Sequence, residues 1–149
     1  MEIDIYRKQG GQHHPLSNFA PYMTQRAGLY WPTVEHAFQA AKFYWHGGEN
    51  HVHIVAIRTA PTPAAVKKLG KSRKHPIDPA WDERRVGVMY ELLRRKLKLN
   101  PEVLWALGAT GTNEIVERSP WDYFWGTGRS GTGQNQLGKL WMRIRDEGV

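Results

Sequence analysis

From Trp31 to Ile144 apolar residues recur at helical spacing in stretch after stretch, and glycine or proline ends each one before it grows long. A chain written this way is committed to short helices that bury one face each. The first, "WPTVEHAFQAAKFYWH", has Thr33 as a cap and sets Val34, Ala37, Phe38, Ala41 and Trp45 on one face, up to Gly47-Gly48. "ENHVHIVAIRTA" predicts a second, although "HVHIVAI" also reads as a strand; Pro61 stops it. "TPAAVKKLGK" predicts a third, ending at Gly70. "DPAWDERRVGVMYELLRRKLK" predicts the longest, with Val86, Met89, Leu93 and Leu97 on its core side. "NPEVLWALGAT" has an Asn cap, Pro at the first helical position and a Gly stop. The last helix puts Leu137, Leu140, Trp141 and Ile144 on one stripe. "IDIY", "LYW" and "NEIVERS" read as short strands, with "WDYFWG" as the partner of the third, and "GQHHPLSNFAPYMTQRAG" reads as an ordered loop. No repeat or linker divides the 149 residues, so the expectation is a single α+β domain over 1–149, mostly helical with a few short strands.

Hydrophobic residues make up 40% of the chain and seven of them are Trp, which supplies the large apolar surface a core needs. No apolar run reaches a membrane span, the first residues lack the apolar region of a secretion signal, and there is no Cys. Disulfides and thiolate chemistry are thereby excluded, and a cytoplasmic location is expected. The seven His match no common zinc spacing, so no metal and no cofactor is expected. The net charge of +7 favours an anionic partner. Its densest clusters are "KKLGKSRKH" (Lys67 to His75) and "RRKLK" (Arg94 to Lys98), which composition alone does not distinguish from solvated faces.

Three constellations bear chemistry. On the first helix Glu35 and Lys42 lie seven residues apart and only about 20° apart in heading, with Gln39 between them, where the apolar stripe meets solvent. A partly desolvated Lys is an amine nucleophile and a neighbouring Glu can move protons; the same spacing also suits an exposed polar stripe. In "SPWDYFWGTGRSGTGQNQLGK", Asp122 lies among Trp121, Tyr123, Phe124 and Trp125, surroundings that would dry a carboxylate, or it is a turn residue. The glycines after it would let backbone N–H groups face an anion beside a helix N-terminus, or form a plain loop. Gly126, Gly128 and Gly131 spell a dinucleotide fingerprint, but only 18 residues follow Gly131, too few for the rest of a βαβ unit. In "PLSNFAP", Asn18 can bond a sugar hydroxyl or base edge and Phe19 can stack, or the segment is a rigid turn.

Five blocks, "LSNFAP", "YWPTVEHAFQAAKF", "PAWDERRVGVMYELLRRKL", "EIVERSPWDYFWGTG" and "GQNQLGKLWMRIR", resemble in that order the signature blocks of the NADAR family of YbiA-like N-glycosidases, from about Leu16 to Arg145. The resemblance implies a mainly helical α+β fold around one cleft and cleavage of a bond between ribose C1′ and a nitrogen. It implies Lys42, Glu35 and Asp122 as catalytic residues, and Asn18, Phe19, Gln39, Trp81, Trp125, Gly126 and Asn135 as the substrate's surroundings. Lys71, Arg73 and Arg129 are candidate phosphate contacts. The implied partner is ADP-ribosylated guanine in nucleic acid or nucleotide, with DNA held through basic patches. The alternatives are a phosphoribosylamino-pyrimidine intermediate of riboflavin synthesis, or a module that binds ADP-ribose or a modified base without turnover.

Overall fold

The structure, a computed structural model, describes residues 1–148. Its elements in chain order are β1 (Glu2–Asp4), β2 (Thr24–Arg26), β3 (Leu29–Trp31), α1 (Val34–Ala41), α2 (Val52–Thr59) and α3 (Pro63–Lys71). They continue with α4 (Trp81–Leu99), α5 (Pro101–Ala109), β4 (Glu114–Val116) and α6 (Gln136–Glu147), the expected α+β class. The chain forms two compact units, Pro21–Leu99 and Met1–Ala20 with Asn100–Val149.

In the 21–99 unit α1 is the hub, contacted by α2, α3, α4 and the β2–β3 hairpin. Every residue of α1 is buried, so the helix is enclosed rather than amphipathic. Polar groups inside it are consumed in fixing it. Thr33 Oγ1 accepts from the His36 N–H at 3.1 Å, a cap of the kind that stabilises a helix by about 1 kcal/mol. The His36 ring bonds Thr33 Oγ1 at 2.8 Å and the Ala60 carbonyl at 3.0 Å, tying α1 to the end of α2. His53 reaches the Leu69 carbonyl at 3.0 Å and ties α2 to α3. Two of the histidines are thus structural ties. The helix ends at Ala41, earlier than expected, and Trp45 falls beyond it, 46% exposed rather than in the core.

The hairpin was hidden in what reads as a loop. β2 pairs antiparallel with β3, and the two residues between them, Ala27 and Gly28, take φ of 54° and 75°. Positive φ at both positions matches the right-handed twist of a two-residue hairpin. On α4, Met89, Leu93 and Leu97 are buried as expected, Val86 is half-buried, and Leu92 and Lys96 are buried with them.

Lys96 is fully enclosed, its ammonium 6.0 Å from the centre of the Tyr22 ring, and burial lowers its pKa to about 7. An unfolded Lys titrates near 10.4, so above neutrality the unfolded chain binds more protons and stability rises with pH. Chemical denaturation between pH 7 and 9 is expected to show a slope approaching about 1.4 kcal/mol per pH unit from this residue, lost in Lys96→Met. Parallel pH profiles for wild type and Lys96→Met would contradict it.

In the other unit β1 pairs in parallel with β4, Ile3 opposite Ile115. β4 lies in "NEIVERS" as expected, but its partner is the start of the chain; "WDYFWG" forms no strand and does other work, described below. α6 packs on β4, with Leu137, Leu140, Trp141 and Ile144 all buried, and Trp141 Nε1 donates to the Leu16 carbonyl at 2.9 Å. Asn100 stands at the cap position of α5, where its side chain makes no capping bond, and α5 runs past Gly108.

Candidate active site

One turn of α1 separates Glu35 from Gln39, and Gln39 Nε2 donates to Glu35 Oε1 at 2.7 Å. Each is 6% exposed. The sequence places them where an apolar stripe meets water; because helices enclose α1, the structure puts them inside, where a carboxylate's interactions are strong. Lys42 is the C-cap of the same helix and is half-buried. Its carbonyl accepts from the Asp78 N–H at 2.8 Å, which anchors the backbone without using the amine. Burial lowers the Lys42 pKa to about 8; Arg73, Lys67 and Lys71 push it the same way, while Glu35 opposes them. Among the described residues no ion-pair partner stands at contact distance from this ammonium. The structure therefore sets Glu35 and Gln39 in contact and leaves Lys42 at the end of the same helix, within electrostatic reach of Glu35, Lys71 and Arg73. Arg73 also donates to the Gly70 carbonyl at 2.9 Å, at the end of α3.

Gly70 stands where the sequence predicts a helix stop, but its use is different. α3 continues to Lys71, and a Cβ on Gly70 would lie 1.9 Å from Gln39 Oε1 and 2.5 Å from its Cδ. Only a glycine lets α3 close over the Gln39 amide; the available signal was a glycine followed by one more helical residue. Gly70→Ala is expected to cost about 1–3 kcal/mol by overpacking. Adding Gln39→Ala should recover most of that loss in a denaturation double-mutant cycle. Additive losses would show that the two residues do not share this contact.

Trp81 is 5% exposed and packs on Phe38 with ring centres 5.1 Å apart, so its ring belongs to the core of this unit.

The remaining candidates lie in the other unit. Asp122 Oδ1 accepts from the N–H groups of Phe124 (3.0 Å) and Trp125 (2.7 Å), the turn reading of this residue. Its neighbours Trp121 and Tyr123 are exposed, so the dry surroundings expected from the sequence are not formed. The turn aims a row of carbonyls at α6: Tyr123, Phe124, Trp125 and Gly126 accept from the N–H groups of Gln134, Gln136, Leu137 and Asn135. The N–H groups of Thr127, Gly128, Gly131 and Gly133 likewise bond carbonyls of the chain, and that of Ser130 bonds the Tyr123 hydroxyl. The anion cradle expected of the glycine loop is thus already filled by the protein's own oxygens.

Asn135, with φ of 51°, donates from Nδ2 to the Ile115 carbonyl at 3.0 Å and accepts at Oδ1 from the Glu117 N–H at 2.9 Å. Gly126 is buried, and a Cβ there would meet the Glu117 and Asp122 carbonyls at 2.8 and 2.9 Å. Phe19 packs edge-on against His13, ring centres 5.7 Å apart, in the turn where Ser17 Oγ accepts from the Phe19 N–H; Asn18 beside it is half-buried. Arg129 stacks over the exposed Trp121 ring at 5.0 Å and lines an open groove of about 440 Å³ with Arg7 and Arg118, which Asp4 and Glu2 already pair.

Among the described residues no helix is long and apolar enough to cross a membrane, and no group of three or more His, Cys, Asp or Glu is arranged to hold a metal ion.

The NADAR domain profile matches residues 5–147. An N-glycosidase of Nostoc punctiforme is 36% identical over 132 residues, covering 89% of this chain and 83% of that protein. The riboflavin biosynthesis protein PYRR of maize, described as chloroplastic, is 36% identical over 142 residues; the match takes in 89% of this chain but only 23% of that longer protein. The solved structure of Escherichia coli YbiA superposes with a TM-score of 0.81 at 32% identity, covering 98% of this chain and 83% of YbiA.

Proposed function

The chain belongs to the NADAR family, and on that footing we propose that it is an N-glycosidase whose working groups are the Lys42 amine and the Glu35 carboxyl. The observation that carries this reading is an amine with a pKa of about 8 on the same helix as a buried carboxylate clamped by Gln39. At pH 7 about a tenth of such an amine is neutral and nucleophilic. As Lys42 Nζ forms its bond to ribose C1′ and the C1′–N bond breaks, the Glu35 carboxylate takes a proton from the attacking nitrogen and passes it to the departing one. The C1′–O4′ bond then breaks, the ring oxygen takes the remaining Nζ proton to become a hydroxyl, and an imine is left between Nζ and C1′. Water, with Glu35 now accepting its proton, hydrolyses the imine and returns the free amine. Gln39, fixed by Gly70, holds Glu35 in place.

The substrate we assign is ADP-ribose on guanine. Two phosphates suit the cations around Lys42, since Lys67, Lys71 and Arg73 all act on its charge. A second reading, an N-glycosidase for a phosphoribosylamino-pyrimidine of riboflavin synthesis, is favoured by the name of the maize relative. Both substrates present a ribosylated amine. A reader module without turnover has no use for a near-neutral amine beside an acid. Mass spectrometry of the products from each substrate separates these readings: release of ADP-ribose from ADP-ribosyl-guanosine supports the first, release of ribose phosphate from the pyrimidine alone supports the second, and intact substrate bound in single turnover supports the reader.

A further inference from the structure

The charge of this chain is not spread evenly. Residues 21–99 hold fourteen Lys and Arg against six Asp and Glu, a surplus of +8, while the rest of the chain holds seven against eight. The unit with Lys42 therefore carries the entire excess. Within it, no acidic residue occurs from His51 to Ile77, a stretch with six Lys and Arg and three His.

Helix geometry gathers these charges. On α3, Val66 and Gly70 are the buried side; Lys67, Lys71 and Lys68 head away from it within about 100° of one another. Lys68, Lys71, Arg73 and Lys74 are exposed, and among the described residues none of these four forms an ion pair. Gly70 fits α3 tightly onto Gln39, so this cationic face is held at a set distance from Lys42. An exposed aromatic lies alongside: Trp45 Nε1 donates to the Pro76 carbonyl at 3.1 Å, which pins its ring at the end of the basic segment. Unpaired cations in a row, next to a tethered and accessible indole, are what a flexible phosphodiester with unstacked bases requires.

We propose that the outer face of α3, the segment through Lys74 and the Trp45 ring form a docking surface for single-stranded nucleic acid, which delivers a modified base to Lys42. Phosphates lie on Lys68, Lys71, Arg73 and Lys74, and one base stacks on Trp45. The direction of delivery rests on the function proposed above; the binding does not.

The test uses an unmodified, dye-labelled single-stranded DNA of about twelve nucleotides, with fluorescence anisotropy read between about 50 and 200 mM salt. Four phosphate contacts on a single strand give a log–log salt slope of about −3, or roughly a fifty-fold loss of affinity across that range. Lys68→Ala with Lys74→Ala is expected to flatten the slope by about 1.4. Trp45→Ala is expected to weaken binding about five-fold or more with the slope unchanged, because stacking releases no counterions. Absence of binding by the wild type, or a slope that the lysine pair does not alter, overturns the surface. Turnover of ADP-ribosyl-guanosine, which has no strand to dock, is measured alongside: its failure counts against the proposed reaction, and its success beside failed strand binding removes the surface alone.

Discussion

Replacing Lys42 with alanine is expected to lower turnover on the order of a thousandfold or more and to abolish the covalent sugar adduct that borohydride traps from the wild type. The fold should survive the change. Among the described residues the Lys42 amine has no ion pair to lose, and the anchor at this position is its carbonyl, bonded to the Asp78 N–H at 2.8 Å, which alanine keeps. The pH profile carries a second, independent signature. Because the neutral amine is the attacking form and its pKa is about 8, wild-type turnover should climb with pH and reach half its maximum near that value. Glu35 raises the Lys42 pKa, so Glu35→Gln should shift the rising limb to lower pH while the maximum falls by about 10²–10⁴. A reduced adduct that persists in Lys42→Ala would remove the imine. A rising limb that stays where it is in Glu35→Gln would remove the coupling between the two groups.

Asn135→Ala is expected to be the most damaging of the changes to stability, at about 2–5 kcal/mol in chemical denaturation. Both ends of this buried amide are in use, one on the Ile115 carbonyl and one on the Glu117 N–H, so alanine strands two backbone groups at the junction of β4 and α6. It would also have to hold φ of 51°, a region that asparagine tolerates better than alanine. The neighbouring Gly138 leaves no slack for repair, since a Cβ there would stand 2.1 Å from the Ile115 carbonyl. Asn135→Asp retains the acceptor and the backbone preference but sets a carboxylate oxygen against the Ile115 carbonyl in a buried place, and should cost about as much at neutral pH. If Asn135→Ala unfolds within about 0.5 kcal/mol of the wild type, the clamp is not a stability element and this residue returns to the substrate's side.

The two signature blocks are put to different uses. In E-H-x-F-Q-x-x-K, His36 and Phe38 are consumed in packing, Glu35 and Gln39 are left as a linked acid and amide, and Lys42 follows at the end of the same helix within electrostatic reach of Glu35. In the Asp122 to Gly138 blocks nearly every singled-out residue bonds or abuts backbone. Asp122 shapes a turn, the carbonyls of that turn cap α6, and Asn135 clips α6 to β4. The sequence leaves both uses open for the polar residues of this glycine-rich loop, because a capping side chain and a binding side chain are chemically the same until the partner is known.

What the sequence by itself determined was the set of helices, their caps and the faces that turn inward. These are local properties: Thr33, Thr62 and Pro63 act on residues within one turn, and apolar spacing acts through the pitch of the helix. It also determined that an amine and a carboxylate share one side of α1. Tertiary structure alone decided that α1 would be enclosed, which converts an exposed polar edge into a buried Glu35–Gln39 pair and brings the Lys42 pKa down to about 8. It decided that β4 would pair with the first residues of the chain, and that the loop carbonyls would fill the α6 N-terminus. Burial and pairing partners are set by what arrives from elsewhere in the chain, and a window of sequence contains no information about that arrival.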